Sequence, residues 1–226
     1  MLRRRTGGPR LTVRPRYCKI GLSRIISNMA KQLSWGLLER TVRQSGMHLF
    51  SPQDLQHLLG ASEISIRFLL TRATKRGDVH KLRRGLYSLS DSEPSELAIA
   101  NALIRPSYVS FHYALAYYHL IPEAAYRVTS ATTRNTRRFE VAGTVFWYHH
   151  LKPTAFDGYR PIRVGGSAVL IAEPEKAFLD SLYLATQRKL ALPERLDTRS
   201  LDWKRVQRLA RLFDRQDLIA VMEGYR

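Results

Sequence analysis

Residues 51–60 read SPQDLQHLLG, residues 61–80 ASEISIRFLLTRATKRGDVH and residues 81–89 KLRRGLYSL, and this stretch decides the fold. Ser51 has the side chain of an N-cap, Pro52 suits the first helical position, and Gly60 closes the segment. Leu55, Leu58 and Leu59 give it an apolar stripe at helical spacing. A second helix opens at Ser62, carries Ile66, Leu70 and Ala73 at i, i+4 and i+7, and stops at Gly77. Val79–Arg83 and Leu86–Leu89 then alternate about a tight Arg84-Gly85 turn. Two short helices, a brief turn and a basic hairpin are the grammar of a winged helix-turn-helix. The expectation is a DNA-binding head.

Working outward toward the N-terminus, LSWGLLERTVRQSG predicts a further helix over 34–45, with Leu37, Leu38, Thr41 and Val42 inward and Gly46 at its end. Met47, Leu49 and Phe50 form an extended link. Three helices then bury a small core, which the hairpin closes on one side. Residues 1–28 carry Arg3, Arg4, Arg5, Arg10, Arg14 and Arg16, and Gly7, Gly8, Pro9 and Pro15 break any helical period. They are expected to form a disordered basic arm available to phosphates, or to precede a true start at Met29.

Toward the C-terminus, Asp91-Ser92-Glu93-Pro94 interrupts the apolar pattern and marks the expected domain junction. Helices are predicted over 94–104 and 112–119. The texture then becomes extended: 126–130, 138–141, 145–150, 162–164 and 168–172 read as strands, with turns at 142–144 and at Gly165-Gly166. Pro174 starts a helix in which Phe178, Leu182 and Ala185 share a face, and two more helices complete the chain. The fold class is α+β. The expected organisation is an arm (1–28), a winged helix-turn-helix (29–90) and a mixed C-terminal domain (91–226) with a small, mostly antiparallel sheet and flanking helices.

The net charge of +18 is unevenly distributed. Residues 1–90 hold 18 Lys/Arg against 4 Asp/Glu, a net +14, and residues 91–226 hold 19 against 15, a net +4. Solubility alone does not concentrate charge in this way. A polyanion does call for it, because neutralised phosphates release counterions and drive association. Double-stranded DNA is therefore the expected partner. Cys18 is the only cysteine, which excludes an intrachain disulfide and fits a reducing cytoplasm. No apolar run reaches the roughly 20 residues of a membrane span, so no membrane partner is expected.

With Ile66, Leu70 and Ala73 inward, Ser65, Arg67, Thr71, Arg72, Lys75 and Arg76 fall on the outer and flanking faces of the second helix. Ser and Arg near the start suit base edges, and Lys75 and Arg76 near the end suit phosphates. Phe68 also falls outward on the wheel, where it would meet a thymine methyl; core packing in a shifted register is the alternative and the favoured reading. Lys81, Arg83 and Arg84 form the wing, with Leu82 and Leu86 packing back. The bland alternatives are a solvated basic face and a winged module that meets protein.

Elsewhere the chemistry is thinner. His149 and His150 are adjacent on a strand and point to opposite faces, and His112 and His119 are two turns apart, so no metal site is expected. Glu173-Pro174-Glu175-Lys176 evokes the Glu-x-Lys of metal-dependent nucleases, but the spacing is wrong. Helix capping explains it better, with Asp180 and Lys176 as an ordinary i,i+4 surface pair. There is no phosphate-cradling G-x-x-x-x-G-K-[ST], no G-x-G-x-x-G and no nucleophile elbow, so no cofactor and no catalysis are expected. The loop from Thr129 to Arg138, with three arginines and many hydroxyls, has the make-up to hold phosphate or an acidic surface.

YVSFHYALAYYHLIPE, TSATTRNTRRFEVAGTVFWYHHLKPTAFDGY and AEPEKAFLDSLYL together resemble the AbiEi-type antitoxins of type IV toxin–antitoxin systems, over roughly residues 94–185. The resemblance implies an autorepressor that binds inverted repeats in its own promoter through the winged domain. It also implies a C-terminal domain that counters a nucleotidyltransferase toxin without a stable complex. Arg134, Arg137, Arg138 and Lys152 are the candidates for that second role. The Arg-rich first 28 residues depart from the family pattern. The alternatives are a stand-alone DNA-binding regulator and a metal-dependent nuclease with a DNA-targeting head.

Overall fold

A computed structural model describes residues 33–226, of which Trp35–Arg226 form one compact unit. The arm expected over residues 1–28, the candidate start at Met29 and Cys18 lie outside the described residues. The chain is mixed α+β.

The unit opens with α1 (Trp35–Ser45), α2 (Pro52–Leu59), α3 (Glu63–Arg76) and an antiparallel hairpin of β1 (Val79–Arg83) and β2 (Leu86–Leu89). The boundaries follow the local signals. The Ser51 hydroxyl accepts the Asp54 N–H while the Asp54 carboxylate accepts the Ser51 N–H, a reciprocal cap that satisfies two orphan donors. The Ser62 hydroxyl caps α3 by accepting the Ser65 N–H, without the reciprocal bond, and Gly60 and Gly77 end the two helices in the left-handed conformation. Leu38, Val42, Phe50, Leu55, Ile66, Leu70, Ala73, Val79 and Leu89 are buried, and Phe50 pairs backbone to backbone with Tyr87, which ties the link to the hairpin. Leu37 and Leu58, expected inward, are instead exposed. Short helices need only one stripe to fill so small a core, and Leu38 and Leu55 fill it.

The remainder comprises α4 (Glu96–Leu103), β3 (Ser107–Val109), α5 (Phe111–Tyr117), β4 (Arg127–Thr132), β5 (Arg137–Val141), β6 (Thr144–His150), β7 (Tyr159–Val164), β8 (Ser167–Ala172), α6 (Pro174–Thr186), α7 (Trp203–Ala210) and α8 (Gln216–Glu223). The strands form one six-stranded sheet in the order β5-β6-β4-β3-β8-β7. β3–β4, β5–β6 and β7–β8 are antiparallel, whereas β4–β6 and β3–β8 are parallel. The sheet is thus larger and more mixed than the expected mostly antiparallel one. The short segment 107–109 is one of its central strands.

A larger apolar core runs from Leu86 of the hairpin to Met222 of α8. At its centre lies α6, packed by α5, α7 and α8, with every residue from Glu175 to Leu184 buried. Lys176 and Asp180 are among them, both with no exposed surface. The Asp180 carboxylate accepts from the Lys176 ammonium, from the Tyr108 hydroxyl (3.0 Å) and from the Ser110 hydroxyl (2.7 Å). This pair is therefore not the surface contact that its i,i+4 spacing suggested. Burial pushes the lysine down and the carboxyl up, and the mutual contact opposes both shifts. Gly158, in the left-handed region, lies against the pair: a Cβ there would meet Lys176 Cγ at 3.1 Å.

Candidate nucleic-acid interface

α3 presents two unlike faces. Ile66, Leu70 and Ala73 have no exposed surface, and opposite them lie Ile64, Arg67, Phe68, Thr71, Arg72 and Lys75, all exposed. Phe68 is 59% exposed and Ile64 81%, so the core reading of Phe68 is corrected: Ile66 and Leu70 already occupy the inward positions. Ile64, Phe68 and Arg72 form an outward stripe at i, i+4 and i+8, and the Arg72 guanidinium stands over the Phe68 ring at 4.3 Å. Ile64 was missed as an outward residue, although its four-residue spacing from Phe68 is visible in the sequence.

The other expected contacts on this helix are differently placed. The Ser65 hydroxyl bonds the Ser62 hydroxyl at the helix start. Arg67 bonds Glu63 one turn back, and Arg76 pairs with Asp78. The Thr71 hydroxyl donates to the Arg67 carbonyl and keeps its acceptor capacity. Exposed pairs of this kind contribute little to stability, so both arginines can exchange their carboxylates for phosphates at small cost.

The hairpin cations separate into two groups. Lys81 and Arg84 are exposed, while Arg83 turns toward the sheet, its guanidinium over the Phe139 ring at 5.1 Å. The pairing register shifts between Lys81 and Arg83, and such an irregularity re-aims the side chains that follow it.

Of the candidates in the C-terminal part, Arg137 and Arg138 are neighbours on β5 and face opposite ways. Arg137 shares its side with Phe139 and borders a cleft of about 630 Å³ between the hairpin and the sheet. Arg134 borders the same cleft, its Nε donating to the Arg105 carbonyl at 2.6 Å. Lys152 is elsewhere, and its ammonium donates to the Phe213 carbonyl. The four do not converge on one site.

Glu173, Glu175 and Lys176 hold structure together. Glu173 pairs with Arg205, Glu175 accepts the Asp202 N–H at the start of α7, and Lys176 is sealed against Asp180. His149 and His150 do face opposite ways, the first buried and the second exposed. Among the described residues no three His, Cys, Asp or Glu side chains gather as a metal site.

His149 carries a separate consequence. It packs between Phe111 and Trp147, and its Nε2 is buried without a hydrogen-bond partner among the described residues. Burial, with help from His112, Lys189 and Arg127, lowers its pKa from 6.5 to about 4. Between those values the unfolded chain binds a proton that the folded chain refuses. Stability is therefore full above pH 6.5 and is lost as pH falls toward 4, by about 2 kcal/mol at pH 5 and about 3 kcal/mol at pH 4. Urea unfolding at pH 7 and pH 5 should show this loss in the native chain and a smaller one in His149→Asn. Equal losses in the two proteins would refute it.

No helix among the described residues is long and apolar enough to cross a membrane. Comparison with known proteins finds no family model and no curated protein that matches the chain.

Proposed function

We propose that the chain is a DNA-binding transcriptional regulator that reads duplex DNA with a winged helix-turn-helix formed by α1, α2, α3 and the β1–β2 hairpin. The observation that carries this reading is α3 itself: a helix anchored by three fully buried residues, with a basic and apolar outer face left to solvent. A helix of this width fits the major groove. In that position Arg67 and Arg72 reach base edges, Ile64 and Phe68 meet thymine methyl groups, and Lys75, Arg76, Lys81 and Arg84 contact phosphates.

The resemblance to AbiEi-type antitoxins gives this regulator its context. On that reading it represses its own promoter at inverted repeats, and its C-terminal part counters a nucleotidyltransferase toxin encoded beside it, with no catalytic step of its own. A stand-alone regulator is the same DNA reader without the toxin. The exposed Ile64 and Phe68 also suit a protein contact on the same face, and that reading predicts a partner captured through α3 rather than a duplex.

A reporter placed behind the chain's own upstream region tests the proposal in cells. Output should fall when the full chain is expressed and recover when Arg72 and Lys75 are both replaced by alanine. Growth rescue from the neighbouring gene product, by the full chain but not by residues 29–90 alone, tests the antitoxin half. A reporter indifferent to the chain would count against the DNA reading.

A further inference from the structure

The cleft between hairpin and sheet is separate from the outer face of α3, and its walls have an uneven chemistry. Four guanidinium groups border it, those of Arg83, Arg105, Arg134 and Arg137. None of the four forms an ion pair with a carboxylate among the described residues. The acid on the cleft wall, Asp54, is engaged in capping α2, where its carboxylate accepts from both the Ser51 N–H and the Ser51 hydroxyl at 2.7 Å. The Nε of Arg83 is buried and has no acceptor among the described residues, so this guanidinium meets the cleft through its other nitrogens. Arg134 is held in place through the Arg105 carbonyl and keeps its terminal nitrogens open.

Between these cations the lining is mostly polar, but Leu49, Ala102 and Phe139, each partly exposed, give it an apolar portion. A lone phosphate ion would fill a small part of about 630 Å³ and leave that portion untouched. An anion with a flat apolar portion uses both, since guanidinium forks match phosphate oxygens and stack on planar rings. The volume is that of a pocket for one small organic ligand.

We propose that this cleft binds a nucleoside di- or triphosphate. Its phosphate chain lies among Arg83, Arg105, Arg134 and Arg137, and its base lies against Phe139, Leu49 and Ala102. A ligand seated there bridges the hairpin to the sheet. The inference stands independently of the DNA reading, because none of these groups lies on the outer face of α3.

The test titrates the full chain with methylanthraniloyl-labelled ATP at low salt and competes the probe away. Saturable binding is expected, displaced by unlabelled ATP and ADP, less well by tripolyphosphate, and not by adenosine. Arg137→Ala removes an exposed side chain with no described bond, so the fold should be kept, as a thermal melt would verify, while binding falls about tenfold. Arg137→Lys should recover part of the loss, and Arg199→Ala, at an exposed arginine that pairs with Asp197 and does not line the cleft, should change nothing. Absence of saturable binding would overturn the proposal, as would equal affinity in Arg137→Ala. Displacement by tripolyphosphate as effective as by ATP would reduce the cleft to a plain anion site. Displacement by duplex DNA alone would assign it to the nucleic-acid interface.

Discussion

Asp180→Ala should lower the stability of the chain by about 3–5 kcal/mol, the loss expected when one partner of a buried ion pair is removed. Three donors converge on that carboxylate, from Lys176, Tyr108 and Ser110, and the substitution leaves all three buried without an acceptor. The ammonium of Lys176 has no exposed surface and no second carboxylate in hydrogen-bond contact, and the more distant Asp157 and the Phe213 ring at 4.2 Å are weak substitutes. Asp180→Asn keeps an oxygen for the two hydroxyls but strands the lysine charge, so it should fall between the native chain and Asp180→Ala. Because domains are stable by only about 5–15 kcal/mol, Asp180→Ala should also reduce the amount of folded protein recovered. The pair joins α6 to β3 and to the Ser110 link, so its loss loosens the centre of the sheet and not an edge. Urea unfolding of the three proteins measures this. A change below about 1 kcal/mol for Asp180→Ala would mean that the pair contributes little.

The second large effect concerns recognition. Arg72→Ala combined with Lys75→Ala should weaken binding to the cognate duplex by about 2–4 kcal/mol, on the order of a hundredfold in Kd. Arg72 and Lys75 are exposed, and no described carboxylate holds either one, so both are ready to meet DNA without first giving up an ion pair. Arg72 rests on Phe68, which pre-orients it and lowers the entropy lost on binding. Its fork can address a guanine edge, while Lys75 is a point charge suited to phosphate. Removing the lysine should lower the slope of log K against log salt by about one. Neither substitution touches the core positions Ile66, Leu70 and Ala73, so the melting temperature should be unchanged.

What could be read from the sequence was whatever a few neighbouring residues decide. Ser51, Pro52 and Gly60 delimit α2, Ser62 and Gly77 delimit α3, and Arg84-Gly85, Ala142-Gly143 and Gly165-Gly166 turn the three hairpins, all where the residue types demand. What depends on distant partners was not readable. The parallel pairs β4–β6 and β3–β8 join strands separated by intervening structure, and no local pattern announces them. The burial of Lys176 and Asp180 was equally hidden, because i,i+4 spacing is the same for a core pair and a surface pair. Only the packing of α5, α7 and α8 around α6 distinguishes the two. Phe68 was ambiguous because α3 carries apolar residues on two stripes and its core accepts one. The turn of Arg83 into the cleft follows from an irregular register in β1, a backbone feature with no residue signature. Arg105 escaped notice since it lies near Arg134 and Arg137 only after β3 and β4 pair.

The central claim is that the outer face of α3 reads duplex DNA. It is tested most directly by titrating the native chain and the Arg72→Ala, Lys75→Ala variant with a duplex from the chain's own upstream region and with a scrambled one, across a range of salt. The native chain should prefer its own duplex, its affinity should fall steeply with salt, and the variant should lose on the order of a hundredfold with a shallower slope. Unchanged affinity in the variant would contradict the central claim.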